Sequence, residues 1–210
     1  GATVSKTVFL PVVAIVSLAL GSFATAAVHR IPRDLSLWKK TKSFCPSCNA
    51  ALGPRDLMPL LSYLLQRGKC RHCAAPIGRR YPVIEFATFL LSLAFYTQAS
   101  GPLDALLLCV VAMLLVALVA IDLEWKLLPD VLTLPVALCG LAYVSMGGAD
   151  LLVSSLIGGV LYGGLLWFAG WAVSRWRKMP ALGFGDVKLI AALGLWLGMN
   201  GDSLAMFMIL

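Results

Sequence analysis

Long apolar runs dominate this sequence and constrain its fold more than any other feature. A helix of about 20 apolar residues spans the roughly 30 Å hydrocarbon core of a bilayer. Apolar runs occur near residues 7–28, 82–97, 103–122, 130–146, 151–173 and 187–198, and a last one begins near Ser203. Only 13% of the residues are charged, whereas a soluble domain has about 25%. We therefore predict an all-α polytopic membrane protein with about 7–8 transmembrane helices.

The two ends of the chain both lie in or beside apolar runs. The first run is longer than the roughly 7–15 apolar residues of a signal peptide, and its basic flank follows it rather than preceding it. We expect this run to be retained as a helix whose N-terminus lies outside. The chain ends at Leu210 inside the last apolar run, so we expect the final helix to be incomplete.

A polar segment rich in Pro and Gly separates the first two apolar runs. Residues 29–80 hold 11 of the 17 Lys and Arg residues but only two acids, Asp34 and Asp56. A basic block is typical of nucleic-acid binding, but cytoplasmic loops of membrane proteins are also rich in Lys and Arg. Because membrane helices flank the block, we predict a small cytoplasmic domain and no nucleic-acid partner.

The distribution of Lys and Arg also orients the remaining helices. The connections near 98–102 and 147–150 contain neither residue, so we expect them to face outward. The connections that follow Asp122 and precede Asp186 contain basic residues, so we expect them to face the cytoplasm. Both aspartates are then predicted to lie at the same depth, at the cytoplasmic ends of two different helices.

Two CxxC pairs punctuate the basic segment. They are separated by 21 residues, close to the spacing of zinc sites built from two cysteine pairs. Four thiolates about 2.3 Å from a zinc ion complete a tetrahedral, structural site. The alternatives are an iron–sulfur cluster and two disulfides, although cytoplasmic thiols stay reduced. We predict a structural zinc ion bound by Cys45, Cys48, Cys70 and Cys73.

Asp122 and Asp186 are the strongest candidates for catalysis. A carboxylate near bilayer depth is costly and usually marks a functional site. Two adjacent carboxylates share a proton, so that one activates water while the other protonates the leaving group. This is the chemistry of aspartic proteases. The flanking Gly183 and Gly185 have no side chain, which lets a substrate backbone approach Asp186.

Each aspartate also has a purely structural interpretation. Asp186 is suited to capping the N-terminus of its helix. Asp122 is suited to an ion pair with Lys126, four residues further along a helix.

The sequence resembles the type IV prepilin peptidases, a family of membrane aspartic peptidases of the GxGD type. The resemblance covers nearly the whole chain and is carried by these blocks, in family order: 21–23, 29–32, both CxxC pairs, 56–63, 68–71, 80–85, 121–124, 128–130, 183–188 and 194–198.

The resemblance implies a bifunctional enzyme of the bacterial inner membrane, with its active site at the cytoplasmic face. Such enzymes remove the basic leader of type IV prepilins and pilin-like secretion proteins after a Gly. Many then methylate the new N-terminus with S-adenosylmethionine. The resemblance implies that Asp122 and Asp186 are the catalytic residues. It also implies that Cys45, Cys48, Cys70 and Cys73 are the cysteines of the cytoplasmic domain. The candidates for methylation are Gly68, Lys69 and Glu85.

This resemblance divides the chain into three parts. Residues 1–28 form the first membrane helix, 29–81 the zinc-binding domain, and 82–210 the peptidase domain. Two other function classes compete with the enzyme. One is a proton-coupled transporter that uses the aspartates as a relay, and the other is an assembly factor that docks through its zinc domain.

Overall fold

The computed structural model describes residues 2–37, 44–45, 47–53, 55–146, 148–177 and 182–198. Over these ranges the chain is helical, and β-structure is limited to two isolated bridges, Phe44 with Ala51 and Lys69 with Pro76. A single 3₁₀ turn, Ile31–Arg33, follows the first helix. The α-helices are α1 (Ala2–Arg30), α2 (Leu61–Leu65), α3 (Arg80–Tyr96), α4 (Pro102–Trp125), α5 (Asp130–Ser145), α6 (Ala149–Arg177) and α7 (Phe184–Leu197).

The predicted apolar runs coincide with long helices. Three segments are long and apolar enough to span a bilayer: Val8–Arg33, α4 and α6. Helix α5 is apolar but has only 16 residues, about 24 Å at 1.5 Å per residue. The run that begins near Ser203 lies outside the described residues. The all-α fold is therefore confirmed for the described chain, while the count of seven to eight spans stays a prediction.

Pro residues mark the start of two of these helices. Pro102 is the first residue of α4, where its missing N–H and fixed φ are compatible with the first turn. Pro129 precedes α5 with φ −72° and ψ 132°. Its ring fixes φ, and its ψ is extended rather than helical, so that α5 begins at the next residue, Asp130.

The chain forms two compact units, residues 1–125 and 126–210. In the first unit, helices α1, α3 and α4 pack against one another. The backbones of α1 and α3 approach closely at Gly21, where a Cβ atom would lie 3.0 Å from Cα of Glu85. Ser17 and Thr88 are fully buried, and each donates its hydroxyl to a carbonyl of its own helix. Small and hydroxylated side chains at such a contact are typical of helices that pack in a membrane.

In the second unit, α7 packs against both α5 and α6. Helices α6 and α7 touch through glycines, because a Cβ at Gly158 would lie 2.7 Å from the carbonyl oxygen of Gly194. Gly159 and Gly163 are equally crowded by α7. The sequence predicts a small-residue contact face at 158–159 and 163–164. Within the described part of the chain the contact is made by Gly158, Gly159 and Gly163 but not by Gly164, where an added Cβ would meet no heavy atom within 4 Å.

The two glycine environments give a matched test of this packing. We expect Gly158→Ala to destabilise the second unit by about 1–3 kcal/mol or more, because the clash is with backbone rather than a flexible side chain. Gly164→Ala should leave stability unchanged or slightly raised, since alanine is the better helix former. Thermal unfolding of the two variants in detergent checks this, and equal melting temperatures would contradict the α6–α7 contact.

Candidate active site and metal centre

Asp122 lies in the last turn of α4. It follows the fully buried Ile121 and is itself half-buried, whereas Leu123 and Glu124 are exposed. The helix ends at Trp125, and Lys126 has a φ of 54°, so it does not continue the helix. Asp122 is therefore presented at the boundary between the buried body of α4 and its exposed end, as the sequence predicts.

Asp186 lies in the first turn of α7 and is also half-buried. Gly183 precedes the helix with extended backbone, φ −73° and ψ 138°. A side chain on Gly183 would press on the carboxylate, because its Cβ would lie 3.1 Å from Oδ2 of Asp186. Gly185 packs against Leu128. A Cβ atom added at Gly185 would lie 3.0 Å from the Cβ atom of Leu128. Glycine at position 183 therefore keeps a side chain off the carboxylate, and glycine at position 185 allows close packing on Leu128. The approach of a substrate to either glycine stays a prediction.

The capping interpretation of Asp186 receives no support within its own unit. Among the described residues from Lys126 onward, none forms a hydrogen bond or ion pair with its carboxylate. Asp122 belongs to the first unit and Asp186 to the second, and their action as a pair stays a prediction.

The two CxxC pairs fold into matching turns. In the first turn Asn49 N–H donates to the carbonyl of Cys45 at 2.8 Å, and in the second Ala74 N–H donates to that of Cys70 at 2.9 Å. Asn49 and Ala74 both take positive φ angles, 55° and 57°. The two isolated bridges close these turns. Each pair is therefore a separately ordered knuckle.

The knuckles bring the four cysteines together. Their Sγ atoms all lie within 4.8 Å of one another, and Cys45 Sγ is 3.9 Å from Cys73 Sγ. A tetrahedral zinc ion with bonds of about 2.3 Å needs sulfur–sulfur separations of about 3.8 Å. All four are free thiols, and 3.9 Å is far from the roughly 2.05 Å of a disulfide bond. The donor set therefore fits one metal ion.

The thiols of the cluster are not equivalent. At Cys73 a backbone hydrogen bond from Ala75 lowers the pKa, but burial and the neighbouring thiols raise it to about 12. At Cys45 backbone amides favour the thiolate form that a metal requires. Hydrogen bonds from the backbone of Cys48 and Ser47 lower the pKa of Cys45 to about 6, against the opposing effect of burial. Cys45 and Cys70 are buried, whereas Cys48 and Cys73 are exposed. The cluster therefore has one face against the domain and one toward solvent.

Asp56 organises the loop between the knuckles, a role that sequence reasoning missed. Its carboxylate accepts hydrogen bonds from Gly53 N–H and the Gln66 side chain, both at 3.1 Å. It also lies 3.4 Å from Nε of Arg71, inside the second knuckle. Its side chain is only 10% exposed. The one available signal was that Asp56 is one of only two acids in the basic block.

Two of the three methylation candidates line a basic groove. The groove has a volume of about 430 Å³ and includes Gly68 and Lys69, with Tyr63, Arg67 and Arg79 around them. Gly68 has a φ of 69°, and its added Cβ would lie 3.0 Å from the Tyr63 ring, so only glycine fits there without strain. Cationic side chains beside one aromatic wall suit a ligand that carries both a carboxylate and a planar ring.

Glu85, the third candidate, does not line this groove. Its carboxylate accepts a 2.8 Å hydrogen bond from Leu60 N–H. Leu60 has a φ of 57° and immediately precedes α2, so Glu85 anchors the loop that leads to the groove. The structure thus brings Gly68 and Lys69 together and leaves Glu85 in a supporting position on α3.

Comparisons with known proteins cover almost the whole chain. Residues 15–99 match the bacterial peptidase A24 N-terminal domain, and residues 109–210 match the type IV leader peptidase family. No solved structure matches.

Relatives named prepilin leader peptidase/N-methyltransferase align over most of their own length. The relative from Aeromonas hydrophila is 38% identical, with 90% of this chain and 73% of the relative aligned. The relative from Klebsiella pneumoniae is 40% identical, with 86% of this chain and 82% of the relative aligned. The relative from Vibrio cholerae is 33% identical, with 92% of this chain and 79% of the relative aligned. These matches show that the chain belongs to the type IV leader peptidase family.

Proposed function

We propose that this protein is a membrane-bound aspartic endopeptidase that removes the basic leader of type IV prepilins and pilin-like secretion proteins, and then methylates the new N-terminus. The observation that carries the proposal is the identity of 33–40% to relatives named for both activities. The placement of Asp122 and Asp186 at helix ends supports the first activity, and the groove at Lys69 supports the second. The relatives give the transporter alternative no support.

In the proposed cleavage step, Asp122 and Asp186 share one proton. The ionised carboxylate removes a proton from water, and the water oxygen attacks the carbonyl carbon of the leader Gly. The protonated carboxyl polarises the carbonyl oxygen and passes its proton to the leaving amine as the C–N bond breaks. Gly183 leaves room for the extended substrate backbone beside Asp186, while Gly185 lets the same turn pack closely against Leu128.

In the proposed methylation step, the basic groove holds the methyl donor. S-adenosylmethionine would supply a methyl group to the neutral terminal amine, leaving S-adenosylhomocysteine and releasing one proton from the amine to solvent. Lys69 and Arg67 have the charge to hold its carboxylate, and the Tyr63 ring offers a surface for its base. Glu85 contributes indirectly by fixing the loop before α2.

We propose that the metal ion bound by the four cysteines is zinc and that its role is structural. Four thiolates fill a tetrahedral zinc ion and leave no position for water. Bound at Cys45, Cys48, Cys70 and Cys73, it joins the two knuckles and so shapes the adjacent groove. We place the zinc domain (residues 29–81) and both aspartates at the cytoplasmic face of the bacterial inner membrane, with residues 1–28 as the first spanning helix and 82–210 as the peptidase domain.

A substitution in the groove should separate the two activities. We expect Lys69→Met to reduce methylation of a purified prepilin at least about tenfold, the loss typical of one hydrogen bond to a charged group. Cleavage should stay within about twofold, because Lys69 lies in the groove rather than beside either aspartate. Methyl transfer from labelled S-adenosylmethionine and leader release are measured on the same sample.

Arg55→Met is the matched control, because Arg55 is an exposed cation of the same basic segment that does not line the groove. It should leave both activities unchanged. Equal methylation by the Lys69 variant and the parent protein would exclude the groove as the site of methyl transfer.

A further inference from the structure

Each proposed catalytic aspartate is followed, two residues later, by a charged residue that is held in an ion pair. Nζ of Lys188 lies 2.8 Å from both carboxylate oxygens of Asp130. In the other unit, a single guanidinium nitrogen of Arg80 lies 3.1 and 2.9 Å from the two carboxylate oxygens of Glu124. In both pairs one nitrogen contacts both oxygens of a carboxylate on another helix.

The Lys188 pair connects the beginnings of two helices in the second unit. Lys188 lies in α7 and Asp130 is the first residue of α5. The Lys188 ammonium group also sits 5.1 Å from the ring centroid of Phe184. On an α-helix, residues two apart point about 200° away from each other. Lys188 can therefore hold α7 against α5 from the side opposite to Asp186, without entering its surroundings.

A second contact holds the same turn. Gly185 packs against Leu128, in the segment just before α5. The turn that carries Asp186 is thus joined to the start of α5 by an apolar contact at residue 185 and an ion pair at residue 188. Together they restrict rotation of the first turn of α7 about its axis, which would swing the carboxylate away.

The Arg80 pair has the same form in the first unit. Arg80 is the first residue of α3, and Glu124 is the second residue after Asp122 on α4. The adjacent Trp125 lies under Arg33, with 5.0 Å from its ring centroid to Cζ of the guanidinium. The end of α4 is therefore fixed by two cationic side chains that come from different segments.

The exposure of these ion pairs argues against a role in folding stability alone. The side chains of Lys188 and Asp130 are 39% and 68% exposed, and those of Arg80 and Glu124 are 32% and 34% exposed. Ion pairs so open to solvent contribute little to stability. Their common feature is their position, two residues beyond a proposed catalytic carboxylate.

We infer that Lys188–Asp130 and Arg80–Glu124 are positioning pairs, which fix the helix ends that carry Asp186 and Asp122 for peptide cleavage. The inference rests on the proposed peptidase function. A displacement of about 1 Å at a reacting group can cost about 100-fold in rate. Loss of either pair should therefore lower kcat for leader cleavage while KM, which reflects substrate binding elsewhere, changes little.

Charge exchange gives the decisive experiment. With a purified prepilin and the full chain in detergent, we expect Lys188→Asp to lower kcat roughly 10–100-fold, with KM within about twofold. Asp130→Lys alone should behave similarly. The double variant, Lys188→Asp with Asp130→Lys, restores the ion pair in reverse and should recover kcat to within about threefold of the parent. Arg80→Glu and Glu124→Arg form the corresponding test in the first unit.

Melting temperatures show whether each variant is folded. The control variant Arg175→Met removes an exposed cation at the end of α6 and shows the effect of losing a charge away from the two pairs. Recovery of kcat in the exchanged double variants supports the inference. Single variants with the kcat of the parent, or double variants no better than the singles, overturn it while the peptidase function stands. A parent protein that does not cleave the prepilin overturns the proposed function and the inference with it.

Discussion

Asp186→Asn and Asp122→Asn should each abolish prepilin cleavage without unfolding the protein. An amide can neither take a proton from water nor give one to the leaving amine, so each substitution removes one half of the acid–base pair. The expected loss in kcat is about 10²–10⁴-fold or more, the contribution typical of a positioned acid or base. Because both carboxylates are only half-buried, replacing either by its neutral isostere should leave the melting temperature nearly unchanged.

Asp150→Asn is the matched control for Asp186. Asp150 lies in the first turn of α6, as Asp186 lies in the first turn of α7, and it is exposed. If first-turn aspartates matter only because a helix N-terminus favours negative charge, the two variants should behave alike. We expect full cleavage from the Asp150 variant and none from the Asp186 variant. Equal activity in both would reduce Asp186 to a structural residue.

Replacing a cysteine of the cluster should have the second large effect. We expect the purified parent to contain about one zinc ion per chain, held by four thiolates, and Cys45→Ser to contain almost none. Structural zinc sites contribute about 10–16 kcal/mol of binding free energy to their domains, and the domain between α1 and α3 has little apolar core of its own. Its knuckles should therefore separate, the groove at Lys69 should open, and methylation should be lost.

Cys139→Ala separates this effect from the general loss of a thiol. Cys139 is half-buried in α5 and takes no part in the cluster, so its variant should keep both the metal and the methyltransferase activity. Elemental analysis of the purified proteins measures the metal directly. Iron in place of zinc would favour the iron–sulfur alternative, and an unchanged zinc content in Cys45→Ser would place the metal elsewhere.

The helices could be predicted from the sequence because their signals are local. Apolar runs longer than a soluble core helix indicated the positions of α1, α4 and α6. The metal cluster was equally accessible, since a CxxC pair carries its own turn geometry and needs only a second pair to complete four ligands.

The contacts around the site could not be predicted, because they join residues far apart in the chain. The pairs Arg80–Glu124 and Lys188–Asp130 span 44 and 58 residues, and nothing in the local sequence indicates which cation meets which acid. The same holds for Glu85 and Leu60, which are 25 residues apart. Glu85 was named with Gly68 and Lys69 as a candidate for methylation, and its position on α3 directs its carboxylate to the loop before α2.

Helix rotation explains the error at Gly164. Gly163 and Gly164 are adjacent in sequence but point about 100° apart on an α-helix. Gly163 meets Ala191 of α7, whereas Gly164 faces away from any described neighbour. Small-residue pairs predict that two helices approach closely, but only the packed structure shows which member of each pair makes the contact.

The most direct test is intact-mass analysis of a purified prepilin after incubation with the detergent-solubilised protein and S-adenosylmethionine. With the parent protein we expect a single cut after the leader Gly and one added methyl group on the mature product. With Asp122→Asn or Asp186→Asn we expect the substrate to remain uncut. The same cut made by both folded variants would contradict it, because the chemistry would then lie outside the two aspartates.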